Sequence, residues 1–211
     1  MMIKRITELL DRVFRGLFRS KKNIKLGLYG PPNGGKTTLA NRIAQDWIGE
    51  DVGKVSAMPH ETREVQVKEQ IEIKSEGKTV TFNLVDTPGI ATKIDYEDFV
   101  KRGMPAKLAK KRAKEATRGV IEAIQWLDDM DVVIVVLDAT KDPYSQVNIT
   151  IVGNLQARKI PVFITANKTD LSKAKLKSIQ DAFPQYEVIG ISAKYGKNMD
   201  EFYKSLLKYA G

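Results

Sequence analysis

The sequence predicts an α/β domain with a mostly parallel six-stranded sheet, one antiparallel strand and helices on both faces. Short apolar runs alternate with segments of helical periodicity along most of the 211 residues. Segments 63–74 and 80–85 instead form a pair around Gly77, the first with alternating apolar positions, which is typical of a hairpin and supplies the antiparallel strand. A chain of this length can bury one full core of this kind, but not two.

The remaining elements can be placed in order from the same patterns. The apolar run 24–29 ends at Gly30 and predicts a buried strand, and helical spacing resumes over 36–48. Residues 49–62 have no clear period and predict a loop. The wholly apolar run 132–137 is typical of a central parallel strand. The other predicted elements are helices near 105–128, 144–157, 173–183 and 198–209, and strands near 161–166 and 187–191.

Composition narrows the class of protein. Hydrophobic residues make up 42% of the chain, so it should fold. Cysteine is absent, which excludes disulfides and thiolate metal sites and fits a cytoplasmic protein. There is no apolar run of about 18 residues, so no transmembrane segment is expected. Charged residues interrupt the apolar positions of the N-terminus, which argues against a secretory signal.

The net charge of +9 is concentrated in two segments. Residues 1–22 contribute +5 and residues 101–118 contribute +7, so the rest of the chain sums to −3. The first segment predicts a basic amphipathic helix, which can dock on the nucleotide-binding domain of residues 23–211, bind a partner protein, or lie on an anionic membrane. The second can contact RNA, a ribosome or DNA, with Lys107, Lys110, Lys111 and Arg112 as the expected contacts, or can be a solvated helix face.

A phosphate-binding loop is predicted at residues 30–37, which match the pattern G-x-x-x-x-G-K-[ST]. Glycines let successive backbone N–H groups turn toward phosphate oxygens, and the following helix presents its positive end to the same anion. Lys36 is expected to reach the β- and γ-phosphates, and Thr37 to bind Mg2+. The nucleotide-binding residues predicted from this loop are Asn33, Gly34, Gly35, Lys36, Thr37 and Thr38.

A second motif, Asp86-Thr-Pro-Gly89, follows the predicted strand 80–85. A carboxylate at a strand end can hold the Mg2+ shell, and the Gly89 N–H can bond the γ-phosphate. Asp, Pro and Gly also form ordinary turns, so the motif gains its meaning from the phosphate loop that precedes it.

Two further motifs predict a guanine pocket. Asp170, in the sequence Asn167-Lys168-Thr-Asp170, can accept hydrogen bonds from guanine N1–H and N2–H2, whereas adenine would leave this carboxylate unpaired. Asn167 can bond the base or tie the loop to the phosphate loop, and Lys168 can cover the base. The sequence Ser192-Ala193-Lys194 completes the pocket, with the Ala193 N–H directed at guanine O6.

These four motifs, in this order and at these strand ends, resemble the translation-factor-like P-loop GTPases. The chain is most similar to the Era-like group, especially small archaeal Era-like GTP-binding proteins. The resemblance implies a P-loop GTPase fold and a GTP-hydrolysing molecular switch. It also implies a threonine that binds Mg2+ and closes over the γ-phosphate, for which Thr62 is the candidate. The implied catalytic residues are Lys36, Thr62 and Gly89, and the implied Mg2+ ligands are Thr37, Thr62 and Asp86.

Two positions bear on mechanism. Ile90 stands where many signalling GTPases carry a water-orienting glutamine, so intrinsic hydrolysis should be slow or use another group. Asn33 stands where potassium-activated relatives hold K+ beside the phosphates, although it can equally just shape the loop. Era adds a C-terminal RNA-binding domain beyond the stretch matched here, so the resemblance alone implies no RNA contact.

Two other functions remain open at this stage. A P-loop nucleotide-metabolising kinase would also bind Mg2+-nucleotide, but the motifs at 167–170 and 192–194 argue against it. A GTP-binding interaction module with negligible catalysis would be consistent with Ile90.

Overall fold

A computed structural model describes residues 23–49, 64–75, 78–91 and 94–210. Within this part of the chain, six strands form one sheet, in which the second strand along the chain lies at one edge and is followed by the third, first, fourth, fifth and sixth. All neighbouring pairs are parallel except the second and third strands, which are antiparallel. The predicted fold class is therefore confirmed. The predicted helix of residues 1–22 and the candidate Thr62 lie outside the described residues.

Strands and helices alternate along the chain except at the hairpin of the second and third strands and at the consecutive second and third helices, and one short 3₁₀ turn follows the third helix. The elements are β1 (Asn23–Tyr29), α1 (Lys36–Ile48), β2 (Gln66–Ser75), β3 (Lys78–Asp86), α2 (Tyr96–Lys101), α3 (Ala106–Gln125), the 3₁₀ turn Trp126–Asp129, β4 (Val132–Asp138), α4 (Gln146–Arg158), β5 (Val162–Asn167), α5 (Leu176–Ala182), β6 (Val188–Gly190) and α6 (Met199–Ala210).

Two apolar cores cover the two faces of the sheet. On β4, Val132, Ile134 and Val136 belong to one core, and Val133, Val135 and Leu137 belong to the other. The first core contains residues of α1 and α6, and the second contains residues of α3, α4 and α5. A strand buried on both faces reads as a continuous apolar run, which is why residues 132–137 predict a central strand.

Polar residues lie at the carboxyl edge of the sheet. Asp86 ends β3 and pairs in register with Leu28 near the end of β1. Asp138 ends β4 and pairs in register with Asn167, which ends β5. Since parallel strands end at the same edge, these side chains lie together where ligands bind in open α/β sheets.

Among the described residues, no helix combines the length and apolar character needed to cross a bilayer.

Candidate nucleotide-binding site

The loop between β1 and α1 has the backbone that phosphate binding requires. Gly35 has φ 96°, and a Cβ atom there would lie 2.2 Å from the Nδ2 atom of Asn167. Gly30 packs equally closely, because its Cβ would lie 2.3 Å from the carbonyl oxygen of Val136. Asn33 is exposed and adopts a left-handed conformation, with φ 60°. Only glycine, which has no Cβ atom, fits at positions 35 and 30.

Helix α1 starts directly at Lys36 with its positive end open. Its N-cap residue, Gly35, provides no side-chain cap, and the first turn carries no acidic residue. The Lys36 side chain is buried, and its Nζ donates to the carbonyl oxygens of Gly30 at 3.2 Å and Pro31 at 3.1 Å. Burial lowers the pKa of Lys36 to about 8, and the nearby Asp86 carboxylate partly opposes that shift. An anion at this helix end would meet both the backbone N–H groups of the first turn and an ammonium group.

Asp86 provides the strongest indication of a cation site. The Thr37 hydroxyl donates to its Oδ2 at 2.6 Å, while its Oδ1 is buried with no hydrogen-bond partner. Burial raises the pKa of Asp86 to about 6, and the Thr37 bond and Lys36 oppose this rise. A buried carboxylate oxygen without a partner is costly. A hard divalent cation held by oxygen ligands would satisfy it, so Thr37 and Asp86 fit Mg2+.

Residues 87–90 return against the phosphate loop. A Cβ atom on Gly89 would lie 2.7 Å from the Cα atom of Pro32, so glycine is needed for this close approach. The Ile90 N–H donates to the Gly30 carbonyl at 3.1 Å. The Ile90 side chain is 5% exposed and belongs to the core that contains Ala123 of α3. Ile90 therefore has a packing role that the sequence did not indicate.

Asn167 joins the two halves of the site. Its Nδ2 donates to the Gly34 carbonyl at 3.1 Å, and its Oδ1 accepts from the backbone N–H groups of Lys168 at 2.8 Å and Ala193 at 3.0 Å. Of the two roles predicted for Asn167, the structure shows the tie to the phosphate loop. The Ala193 N–H, which the sequence directs at guanine O6, is bonded here to Asn167 instead.

Lys168 forms a second link between the halves. Its Nζ donates to the carbonyl oxygen of Asn33 and to Oδ2 of Asp138, both at 2.6 Å. The other carboxylate oxygen of Asp138 accepts from the N–H and hydroxyl of Thr140, at 2.9 and 2.6 Å. Although burial opposes it, these bonds hold the pKa of Asp138 below its usual range. Sequence reasoning missed Asp138; its position at the end of an apolar strand was the available signal.

A cleft of about 740 Å³ opens beside this junction, a size suited to a small molecule. Asp170 lines it together with Gly35, Thr38, Asn167, Lys168 and residues 192–194, so the structure brings the predicted base-binding residues together. Its other lining residues are Asn41, Arg42, Gln45, Leu171 and Tyr195.

Arg42 of α1 holds the far wall of this cleft, and no sequence motif points to it. Its Nε donates to the Ala193 carbonyl and its Nη2 to the Lys194 carbonyl, both at 3.1 Å. Its Nη1 lies 3.6 Å from Asp46, which accepts a 2.6 Å bond from the Tyr203 hydroxyl. The loop 192–194 is therefore held by α1 and, through Asp46, by α6.

The second basic segment lies on α2 and α3, away from this cleft. Lys107, Lys110 and Lys111 are exposed, as a contact surface requires. Arg112, predicted to be part of the same contact, is only 6% exposed and lies on the buried stripe with Ala109 and Ala116. That part of the prediction is wrong, because residue 112 follows 109 by three positions and so falls on the same helix face.

The phosphate loop at a strand–helix junction, the carboxylate on the adjacent strand and the separate base-side cleft define a P-loop GTPase domain. The sequence profile described as 50S ribosome-binding GTPase matches residues 25–168. The chain therefore belongs to this family.

Relatives and solved structures agree with this assignment. GTPase Era of Clostridium acetobutylicum is 29% identical over 187 residues, covering 86% of this chain and 54% of that protein. GTPase Era of Pseudomonas aeruginosa (strain LESB58) is 32% identical over 181 residues, covering 83% and 50%. The chain thus spans about half the length of these relatives.

Two crystal structures of Era share the fold. An Aquifex aeolicus Era variant bound to GDP and AlF4− superposes with a TM-score of 0.68 at 26% identity, covering 90% of this chain and 58% of that chain. Era in complex with MgGDPNP and nucleotides 1506–1542 of 16S ribosomal RNA gives a TM-score of 0.69 at 25% identity, covering 91% and 58%.

Proposed function

We propose that this chain is a guanine-nucleotide-dependent switch that binds Mg2+-GTP and hydrolyses it to GDP and phosphate. The observation that carries the proposal is the junction at Asn167, which bonds to the phosphate loop and to both base-side loops. A site for phosphate alone needs no such junction. The Era structures bound to GDP with AlF4− and to MgGDPNP support the same conclusion.

On the phosphate side, Lys36 and the N–H groups of residues 33–38 bind the β- and γ-phosphates. Lys36 exchanges its two carbonyl partners for phosphate oxygens. Thr37 and Asp86 hold Mg2+, and Thr62, outside the described residues, is the proposed third ligand. Bound Mg2+ neutralises charge on the phosphates.

Hydrolysis forms a bond from a water oxygen to the γ-phosphorus and breaks the bond from that phosphorus to the β–γ bridging oxygen. The products are GDP and inorganic phosphate, and the protons of the water pass to phosphate oxygens and solvent. The chain supports this step by stabilising charge, through Lys36 and the Gly89 N–H. Ile90 is apolar and buried, so it does not orient the water.

On the base side, Asp170 accepts from guanine N1–H and N2–H2, and Lys168 and Lys194 line the cleft beside it. Ser192 is fully buried at the base of this wall. Adenine offers neither donor, which leaves Asp170 unpaired and disfavours ATP.

The decisive experiment is a nucleotide titration with phosphate-release assays. Asp170→Asn should weaken GTP binding by about 100-fold or more and improve XTP binding, because xanthine carries an acceptor at position 2. Asp181→Asn, on the exposed face of α5, is the control and should bind GTP like the wild type. Lys36→Ala should abolish turnover. Equal affinity of the wild type for ATP and GTP would refute the proposal.

The proposal also includes a potassium ion, which would bind beside the phosphates. Asn33 is exposed on the phosphate loop and its side chain is free to turn toward the nucleotide, whereas its carbonyl is already bonded to Lys168. A cation there would stabilise charge opposite Lys36, in place of the glutamine that Ile90 replaces.

Two measurements test the ion. At equal ionic strength, GTP turnover should be several-fold faster in K+ than in Na+, about 1 kcal/mol on the barrier. The complex with GDP and AlF4− should also unfold at a higher temperature in K+. Asn33→Ala should remove both differences. The control is Asn198→Ala, because Asn198 has nearly the same backbone conformation, with φ 59°. Equal results in the two salts would exclude the ion.

The remaining proposals concern location and partners. A cysteine-free chain supports a cytoplasmic location. The complex of Era with 16S ribosomal RNA supports an RNA or ribosome contact, for which the exposed cations of residues 101–118 are proposed. A contact of residues 1–22 with a membrane or partner protein stays a prediction, since these residues lie outside the described part.

A further inference from the structure

Helix α3 presents a continuous positive surface to solvent, which we call the basic face: Lys107, Lys110, Lys111, Lys114 and Arg118, all exposed. The opposite stripe of α3, which includes Ala109, Ala116 and Ala123, is buried. The spacing of three and four residues places the five cations along one side of the helix. The packing of α3 on the domain therefore fixes their direction.

Little of this charge is neutralised by other residues that the structure describes. In the described part of the chain, Lys111 lies 3.8 Å from Glu115, while no ion pair involves Lys107, Lys114 or Arg118. Lys110 lies 5.2 Å from the centre of the Tyr96 ring, which leaves its charge intact. An exposed pair such as Lys111–Glu115 contributes little. Within these residues, the basic face is thus a row of charges available to an anionic partner.

The geometry of the row suits a phosphate backbone. With a helical rise of about 1.5 Å per residue, cations at 107, 110, 114 and 118 follow one another at about 4.5–6 Å and span about 16 Å. Such a row can neutralise several consecutive phosphates and release their counterions. The sequence of α3 contains no aromatic residue, so base stacking is not part of the contact.

A lipid surface fits the basic face less well. Its exposed apolar neighbours, Leu108 and Ile121, lie 13 positions apart, or about 20 Å along the helix. The apolar stripe that a membrane-surface helix would insert is already buried in the domain core. The observations favour a polyanion that needs no apolar contact.

Contacts also link α3 to the nucleotide site. The Tyr29 hydroxyl, at the end of β1 next to the phosphate loop, donates to the Ala123 carbonyl of α3 at 3.0 Å. Ile90, whose N–H bonds to Gly30, packs in the same core as Ala123. A ligand that moves residues 87–90 would therefore change the packing beneath α3.

We propose that the basic face of α3 binds the phosphate backbone of structured RNA, and that the bound nucleotide controls this contact. The second half of the proposal rests on the proposed GTP-dependent switch. The first half rests on the basic face alone, so the two can fail separately. Recognition is by charge and helical spacing, and is independent of base sequence.

The test uses the full chain and a fluorescein-labelled 20-base-pair RNA duplex, with fluorescence anisotropy measured over a range of KCl concentrations. The variant replaces four residues by Gln: Lys107, Lys110, Lys114 and Arg118. Its dissociation constant should rise by about tenfold or more, and the slope of log affinity against log salt should fall by about 3. Residual binding through residues 1–22 is common to both proteins and does not affect the difference.

The matched control replaces four exposed lysines elsewhere by Gln: Lys141, Lys159, Lys177 and Lys204. It has the same net charge as the α3 variant and should bind the duplex within about twofold of wild type, because rim charges remote from a contact matter little. If both variants lose affinity equally, net charge explains the binding and the basic face is not a site.

Two further arms separate the alternatives. Wild-type affinity should differ by about fivefold or more between GDP and a non-hydrolysable GTP analogue, and the α3 variant should lose this difference. Equal RNA affinity in both states, with fluorescent GDP binding intact, would overturn nucleotide control alone. If the chain does not bind fluorescent GDP, the proposed switch itself is refuted.

A lipid surface is tested with vesicles of phosphatidylcholine and phosphatidylserine, which should bind both variants equally. Loss of vesicle binding in the α3 variant, with RNA binding unchanged, would overturn the RNA assignment.

Discussion

Individual side chains in this site do several tasks at once, and Asn167 is the clearest case. Its amide makes three hydrogen bonds, one to the phosphate loop, one to the loop 192–194 and one to the adjacent Lys168 N–H, and the residue is almost fully buried. Gly35 must lack a side chain for this amide to reach Gly34. The motif that contains Asn167 predicts a base-binding residue, whereas the contacts make it a structural junction.

Asn167→Ala should therefore weaken GDP binding by about 30-fold, because its hydrogen bonds to Gly34 and Ala193, of about 1 kcal/mol each, hold the phosphate loop and the loop 192–194 in place. Calorimetric titration with GDP measures the loss. The control is Asn154→Ala on α4, since Asn154 makes local bonds within its helix and lies outside the site. Unchanged affinity in Asn167→Ala would show that the junction is dispensable.

Ile90 gives a second prediction at this scale. Because its side chain is buried, Ile90→Ala should lower the free energy of unfolding by about 2–5 kcal/mol. Ile90→Gln should not raise GTP turnover, because the amide would point into the core and not toward a water beside the γ-phosphate. Denaturant unfolding and phosphate release at saturating GTP check the two statements. Faster turnover in Ile90→Gln would place this side chain at the nucleotide.

Helices and strands with a clear periodic pattern or a flanking motif could be predicted from the sequence. Very short elements, and contacts between residues far apart in the sequence, could not. Helix α1 has the predicted bounds because the phosphate loop defines its start and Gly49 its end. Helix α2 has six residues, too few for a periodic signal, although Asp95 caps it and Glu97 and Asp98 lie in its first turn.

The residues of the candidate site also fall into a predictable and an unpredictable group. Its loop motifs could be predicted because each one is local in sequence and follows a strand. Arg42 could not, because its partners lie about 150 positions away and depend on how α1 packs against the loop 192–194. Asp138 belongs to no motif, so its role becomes apparent only in the structure, where it lies beside Lys168.

The bond from Tyr29 to Ala123 makes β1 and α3 one unit. Tyr29 is fully buried, and Gly27 leaves room for its ring, since a Cβ there would lie 2.6 Å from that ring. Tyr29→Phe should cost about 1 kcal/mol of stability and speed amide hydrogen exchange in α3. Tyr144→Phe is the control, because Tyr144 is exposed. Equal exchange in α3 of both variants would contradict the link.

For the whole molecule, ligand binding and stability are coupled. Mg2+-GDP at about 100 times its dissociation constant should stabilise the fold by about 2.7 kcal/mol, which raises Tm by about 5–10 °C for a domain of this size. A chelator should remove part of the shift, since Asp86 then keeps an unpartnered oxygen. Differential scanning fluorimetry measures both effects. An equal shift with Mg2+-ADP would contradict guanine selectivity.

The shared amide of Asn167 also has a consequence for fragments of the nucleotide. Because one side chain bonds to both the phosphate loop and the base-side loops, the proposed function implies that the free energies of binding guanosine and pyrophosphate should depend on each other. Thermodynamic reciprocity requires that any factor by which pyrophosphate strengthens guanosine binding equals the factor by which guanosine strengthens pyrophosphate binding. On the proposed function, either fragment should favour binding of the other by ordering Asn167, and Asn167→Ala should reduce this coupling.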